Sequence, residues 1–303
     1  PDGPVATIRA SQFAEDTVRV VLDLGSRARV DAFSLPTPYR IVLDVRDGAA
    51  SAEPPARAAE DPPSEGVSFA QRSGLQIRRV IIDPGHGGKD PGTLALKGFP
   101  EKKLALSIAR QLKKSLVKKA GGAQVFLTRN RDTYLGLEKR NRIANSRQCD
   151  LFLSLHANAA ENRKADGVEI YYLNKATDAA SRRLAARENR GSKRREKDEE
   201  AILSDLIQTA ATEESAELAG FLKKSLSKTL RKEGVSGVRV KTALFYVLVG
   251  AKCPGLLIET GYLTNVSEAK RLKDKKFQER FAEALADGIQ RYFARHGQTR
   301  RDL

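Results

Sequence analysis

Val80-Ile81-Ile82-Asp83-Pro84-Gly85-His86-Gly87-Gly88 is the stretch on which the reading of this chain turns. A short β-branched apolar run reads as a buried strand, and Pro84 and Gly85 end it. His86 stands where the strand gives way to small residues. Leu151-Phe152-Leu153-Ser154-Leu155-His156-Ala157-Asn158 repeats the pattern, with a histidine at the end of an apolar run. In open α/β sheets, ligands gather at the carboxyl ends of strands. Imidazoles placed there are ready metal ligands, and two of them with a carboxylate make a catalytic zinc set with one open position.

Working outward, strands and helices alternate from Gln76 onward, which predicts an α/β domain built on a twisted, mostly parallel sheet flanked by helices. Ile77–Ile82 is the first strand. Glu101–Lys119 follows as a helix, because Leu104, Ile108, Leu112 and Leu116 recur on one face and Gly121-Gly122 stops it. The order then reads strand Gln124–Thr128, helix Leu137–Ser146, strand Leu151–Leu155, strand Gly167–Leu173, helix Ser215–Lys232, strand Val238–Val240, strand Gly255–Glu259 and closing helix Phe277–His296.

Three regions depart from this alternation. Residues 1–47 carry β-branched runs with interleaved charges and read as a small all-β module of two to four strands. Residues 48–75 are rich in Pro and Ala and read as an extended linker. The catalytic domain then spans 76–296 with a tail at 297–303. Within it, 175–214 reads as an insertion: Thr177–Arg187 can be helical, a mixed-charge run follows, and Ala201–Ile207 is amphipathic.

Lys plus Arg number 54 against 38 Asp plus Glu, a formal net charge of +16. Such a balance favours an anionic partner. Nucleic acid is not expected, because no basic run is interleaved with aromatics, which make up 6% of the chain. No apolar run reaches the roughly 18 residues of a membrane span. Cys149 and Cys253 form no C-x-x-C pair and flank apolar strands, so buried free thiols are expected, and pairing is not readable from sequence. The chain begins at Pro1 and contains no Met, so any signal peptide is expected to be absent already.

His86, Glu101, His156 and Glu259 all fall at element ends, and a mostly parallel sheet would bring them to one edge. Each alone has an ordinary explanation: a backbone-bonded turn histidine, a helix-dipole glutamate, a core histidine, a turn carboxylate. Together they form two imidazoles, a ligand carboxylate and a further carboxylate that can shuttle a proton, a set suited to amide hydrolysis.

Asp83-Pro84-Gly85-His86-Gly87-Gly88-Lys89-Asp90-Pro91-Gly92, Glu101-Lys102, Ser154–Ala159 and Ile258–Asn265 together resemble the signature of the zinc-dependent N-acetylmuramoyl-L-alanine amidases of the Amidase_3 type. Leu127-Thr128-Arg129 and Arg140-x-x-x-Ala144-Asn145 fit the same pattern. The resemblance implies a phosphorylase/hydrolase-like fold and cleavage of the amide between N-acetylmuramic acid and L-alanine in peptidoglycan. It implies one zinc on His86, Glu101 and His156, with Glu259 as general base and acid. Asp83 is then a candidate to orient a ligand histidine, and Asn158 and Asn265 are candidates to line the peptide groove. The N-terminal module is similar to an AMIN domain, truncated, which implies septal targeting in the periplasm. The insertion resembles the segment by which division amidases block their own zinc cleft until an activator of the degenerate LytM type binds. Glu196, Glu199 and Glu200 are the candidates to reach the metal from it. A fold that only holds peptidoglycan without turnover is the competing class, and the intact ligand set argues against it.

Overall fold

The computed structural model describes residues 5–14, 17–24, 28–36, 39–47, 79–95, 98–119, 123–190, 192 and 210–298. It divides into two compact units, Pro1–Ser64 and Glu65–Leu303. The first holds two antiparallel pairs, β1 (Val5–Ala14) with β2 (Thr17–Leu24), and β3 (Ala28–Pro36) with β4 (Tyr39–Asp47). The expected linker lies outside the described residues.

The second unit is built on a six-stranded sheet in the order β6-β5-β7-β10-β8-β9. Its strands are β5 (Arg79–Pro84), β6 (Gln124–Leu127), β7 (Leu151–Asn158), β8 (Val168–Leu173), β9 (Val238–Ala243) and β10 (Gly255–Tyr262). Strands β6, β5, β7 and β10 are mutually parallel, β8 runs antiparallel to β10, and β9 runs parallel to β8. The mostly parallel expectation holds. The reversal at β8 leaves unchanged the edge where β5, β7 and β10 end together.

Both faces are covered. On one lie α1 (Glu101–Lys119), α4 (Ala210–Leu230), α6 (Val266–Lys273) and α7 (Lys275–Gln298). On the other lie α2 (Leu137–Ser146), α3 (Ala179–Glu188) and the single turn α5 (Tyr246–Val249). Helix α1 forms as its spacing predicts, with Leu104, Ile108, Leu112 and Leu116 fully buried. Burying each such side chain stabilises the fold by about 1.5–3 kcal/mol, an upper bound given a compact unfolded chain.

Strand alternation then decides where polar groups go. Val80, Ile82, Leu153, Leu155, Leu256 and Ile258 face the α1/α4/α7 layer. Ile81, Phe152 and Leu257 face the α2/α3/α5 layer, but only through the first part of each strand. Toward the carboxyl ends of β5, β7 and β10 the same face carries Asp83, Ser154, His156 and Glu259, and Glu169 joins them from the amino end of the antiparallel β8, all buried. His156, Glu259, Glu169 and Arg239 are successive register partners across β7, β10, β8 and β9.

The cysteines correct the expectation of free thiols. Cys149 and Cys253 form a disulfide with Cα atoms 5.9 Å apart. The reason is topological: each lies just before β7 or β10, and these pair with Phe152 opposite Gly255. Two strands adjacent in space are 104 residues apart in the chain, which spacing alone does not reveal. Cys253→Ser should lower stability by about 2–4 kcal/mol, seen as a drop in the urea midpoint with a steeper slope, because the unfolded chain loses its cross-link.

Candidate active site

The loop after β5 is shaped by what it must approach. His86 has φ of 55°, in the left-handed region that side chains rarely adopt. A Cβ on Gly85 would sit 2.4 Å from the His156 ring, and one on Gly92 (φ +65°) would sit 2.6 Å from both Glu101 Oε2 and His86 Cδ2. Only glycine lets this backbone pass so close to the site.

Two buried arginines hold the loop in that shape. Arg140, on α2, donates to Asp83 Oδ1 (2.8 Å), Pro84 O (2.7 Å), His86 O (2.8 Å) and Leu135 O (3.0 Å). Arg129, just past β6, donates to Pro84 O (2.9 Å), Gly85 O (2.6 Å) and Lys102 O (3.0 Å). Burial lowers the Arg129 pKa to about 10, with the nearby Arg140 adding to the effect. Asp83 also accepts from Thr128 and from Ser154 Oγ (2.9 Å). Burial raises its pKa, but Arg140 and Thr128 outweigh that and hold it ionised.

Asp83 therefore anchors an arginine and bonds no histidine. The partner of His86 is Asp90, whose Oδ2 accepts from Nδ1 at 2.8 Å. This turns His86 Nε2 inward. Glu101, the first residue of α1, brings Oε1 to 3.1 Å from both His86 Nε2 and His156 Nδ1. Its carboxylate is fixed by Thr93 N–H on Oε2 (2.8 Å) and Ala157 N–H on Oε1 (2.8 Å). Glu188, the last residue of α3, brings Oε2 to 3.4 Å from His86 Nε2 and 3.3 Å from His156 Nδ1. His86, His156 and Glu188 form a possible metal site, with ligand atoms within 4.8 Å of one another.

The charges agree with a cation at this point. Burial depresses the His86 pKa, yet Glu101 and Asp90 raise it to about 9. His156 is likewise raised against burial by Glu188 and Glu101, and Glu101 is lowered despite burial by the two rings. His86 Nε2 is buried and makes no directed hydrogen bond, although Glu101 lies 3.1 Å away.

Glu259 stands beside His156 in register and is fully buried, and neither of its oxygens has a hydrogen-bond partner. Burial raises its pKa well above the usual carboxylate range, and Glu101 and Glu188 add to that against His156. Arg187 partly offsets this rise through its charge. Its Nε donates to Glu188 Oε1 (2.9 Å) and Nη1 to Ala159 O (3.2 Å), while Nη2 is buried without a partner. The helix carrying both is capped by Asp178, which accepts from Ser181 N–H (2.7 Å). That bond, outweighing slight burial, lowers the Asp178 pKa to about 2.

A family comparison fits this geometry. The Amidase_3 family, described as N-acetylmuramoyl-L-alanine amidase, matches residues 80–291. The chain is a member of that family. The amidase is 32% identical to N-acetylmuramoyl-L-alanine amidase AmiC of Neisseria meningitidis, over 95% of this chain and 74% of that protein. It is 31% identical to AmiC of Escherichia coli, over 96% and 75% of the two chains. An N-acetylmuramoyl-L-alanine amidase structure from Clostridium difficile superposes with TM-score 0.56 at 31% identity, over 73% of this chain and 98% of that one. The protein is thus a hydrolase that cuts the N-acetylmuramoyl-L-alanine amide of peptidoglycan.

The other expected site residues are placed less centrally in the amidase. Asn158 is buried, donating to Glu169 Oε2 (3.0 Å) and accepting from Ala159 N–H (2.8 Å). Asn265 caps α6, accepting from Ser267 N–H (3.0 Å) and Glu268 N–H (3.3 Å), and donates to Ala165 O (3.1 Å). Both amides are thus engaged in holding backbone and neighbouring side chains rather than open to a groove. Glu196, Glu199 and Glu200 lie outside the described residues; among the described residues of the insertion, Glu188 meets the histidines. Sequence reading missed Asp90, Arg187 and Glu188, and gave Arg129 and Arg140 no role beyond the motif. Arg140→Ala should cost the amidase about 3–5 kcal/mol, because it strands Asp83 as an unpaired buried charge; urea unfolding measures it.

Proposed function

We propose that the amidase is a zinc enzyme held shut by its own helix α3. His86 Nε2, His156 Nδ1 and Glu101 Oε1 are the ligands, and Glu259 is the general base and acid. The observation that carries this is a set of four spacings. Glu101 and Glu188 oxygens stand 3.1, 3.1, 3.4 and 3.3 Å from the two imidazole nitrogens. A tetrahedral zinc with bonds of about 2.0 Å has ligand-to-ligand edges of about 3.3 Å. Orphaned His86 Nε2 is the atom such an ion would satisfy.

When bound, zinc supplies Lewis acidity toward the scissile carbonyl and toward the attacking water. Glu259 takes a proton from that water as its oxygen bonds the lactyl carbonyl carbon. It returns the proton to the L-alanine nitrogen as the C–N bond breaks. Asp90 keeps His86 turned inward throughout, and the glycine loop leaves room for the rings. In the closed chain Glu188 would hold the position that a catalytic site keeps open for water and substrate, and the Arg187 charge acts on Glu259. Withdrawal of α3 removes both residues together and lets water reach Glu259, favouring its ionised form. An activator of the degenerate LytM type fits this as the agent of withdrawal.

Placement outside the cytoplasm follows from the same reading. The disulfide suits an oxidising compartment, and no helix among the described residues is long and apolar enough to cross a membrane. The β1–β4 module serves as an AMIN-like anchor on septal peptidoglycan, which places the enzyme in the periplasm for daughter-cell separation. The support for that step is the resemblance and the module's position ahead of the catalytic unit.

The deciding experiment is dye release from labelled sacculi, with metal content measured alongside. Glu259→Gln should retain one zinc per chain and lose release by at least about 100-fold, the scale of general acid–base catalysis. Zinc removal by a chelator should abolish release, and added zinc restore it. Glu188→Gln should raise basal release, and Asp178→Ala, which removes a cap of about 1 kcal/mol, should raise it less. An unchanged basal rate in Glu188→Gln, with the fold intact, would sink the shutter.

A further inference from the structure

Lys89 sits on the rim of the active-site cleft, three residues past His86. The cleft that holds His86 and His156 has a volume of about 600 Å3, and both Lys89 and Tyr134 line it. The backbone beneath Lys89 is tied on each side. Gly88 N–H donates to Asp132 Oδ1 (2.7 Å), and Lys102 Nζ donates to Gly88 O (2.6 Å) while pairing with Asp132 Oδ2 (2.8 Å). Asp90 is committed to His86 and to Gly92 N–H (3.0 Å). The acids closest in sequence are therefore engaged elsewhere.

The ammonium of Lys89 instead lies 4.9 Å from the centre of the Tyr134 ring, whose residue is 42% exposed. Such a contact aims a cation weakly when water can reach it, and leaves its hydrogens available. Of the other cations lining the cleft, Arg140 is spent on Asp83 and Arg187 on Glu188. Arg190 follows α3 and goes where that helix goes. Lys89 is the lining cation that has no ion pair among the described residues and is anchored to the sheet rather than to α3.

The substrate has matching chemistry on one side only. Sugar hydroxyls, acetamido groups and the lactyl ether are uncharged, whereas the stem peptide on the L-alanine side carries carboxylates. We propose that Lys89, steered by Tyr134 at the cleft rim, binds a carboxylate of the stem peptide and makes the enzyme prefer acidic over amidated stems. A lysine–carboxylate contact is a charge-assisted hydrogen bond, stronger than a neutral one, and the ring contact can persist beside it. This inference rests on the amidase reaction and on the opening of the cleft by Glu188→Gln, which raised basal release reports separately, and does not need the role of Glu259.

The test uses the zinc-loaded full chain carrying Glu188→Gln, with N-acetylmuramoyl-L-alanyl-D-glutamate, its two monoamides and its diamide as ligands. Equilibrium binding and hydrolysis are both measured. The parent should favour the diacid over the diamide by about tenfold, the discrimination one charge-assisted hydrogen bond supplies, expressed in Kd and KM. Lys89→Gln should erase that preference while leaving kcat and diamide binding within about twofold, and Lys89→Arg should keep it. The monoamides tell which carboxylate is read. Equal binding of diacid and diamide by the parent, binding of neither, or a preference that survives Lys89→Gln overturns the proposal. Selective binding without hydrolysis would uphold the subsite while sinking the role given to Glu259.

Discussion

The site depends on two buried guanidinium groups that hold a strained loop by its carbonyls. Arg129 and Arg140 together bond the carbonyls of Pro84, Gly85 and His86. A side chain at φ of 55° is unfavourable and persists only where its surroundings over-determine it. Asp83 supplies the counter-charge for Arg140 at 2.8 Å, without which that buried charge would be strongly unfavourable. His86 then points inward because its backbone has no alternative and Asp90 holds its outer nitrogen.

From this follows a division of labour along the strands. Their first halves build a core on both faces. At the carboxyl ends of β7 and β10 the α2/α3 face exchanges that core for His156 and Glu259, and the register continues the polar row to Glu169 at the amino end of antiparallel β8. Burying so many titratable groups is costly unless they are paired. Glu169 is paired with Lys241 Nζ at 2.8 Å, Tyr171 Oη at 2.8 Å and Asn158 Nδ2 at 3.0 Å. Glu259 is buried with no such partner. That contrast between two adjacent glutamates is the structural support for the catalytic role proposed for Glu259.

Much of this was legible in the sequence. Helix α1 begins and ends where its leucine spacing and paired glycines predict, and α2 matches its predicted bounds. His86, Glu101, His156 and Glu259 do converge, because parallel strands carry their ends to one edge. What stayed hidden depends on three-dimensional partners. Asp83 sits in the motif beside Asp90, and only the turn of the loop decides which of the two meets the imidazole. Glu188 lies near the end of a weakly amphipathic segment, and the dense charge run after it drew attention to later glutamates. Short helices α5 and α6 carry too few residues for their period to register. The cysteines gave no sign of pairing until β7 and β10 were known to be neighbours.

That covalent link has one more consequence. The roles proposed for His156 and Glu259 require that both face the same side of the sheet, and a slip of one residue between two strands would turn one of them away. Parallel strands joined through distant crossovers have no tight turn to index them against each other. The Cys149–Cys253 bond, placed at the opposite end of the same two strands, acts as a fixed tooth between them. A covalent link at the far end of two strands thereby sets the alignment of the side chains at their other end.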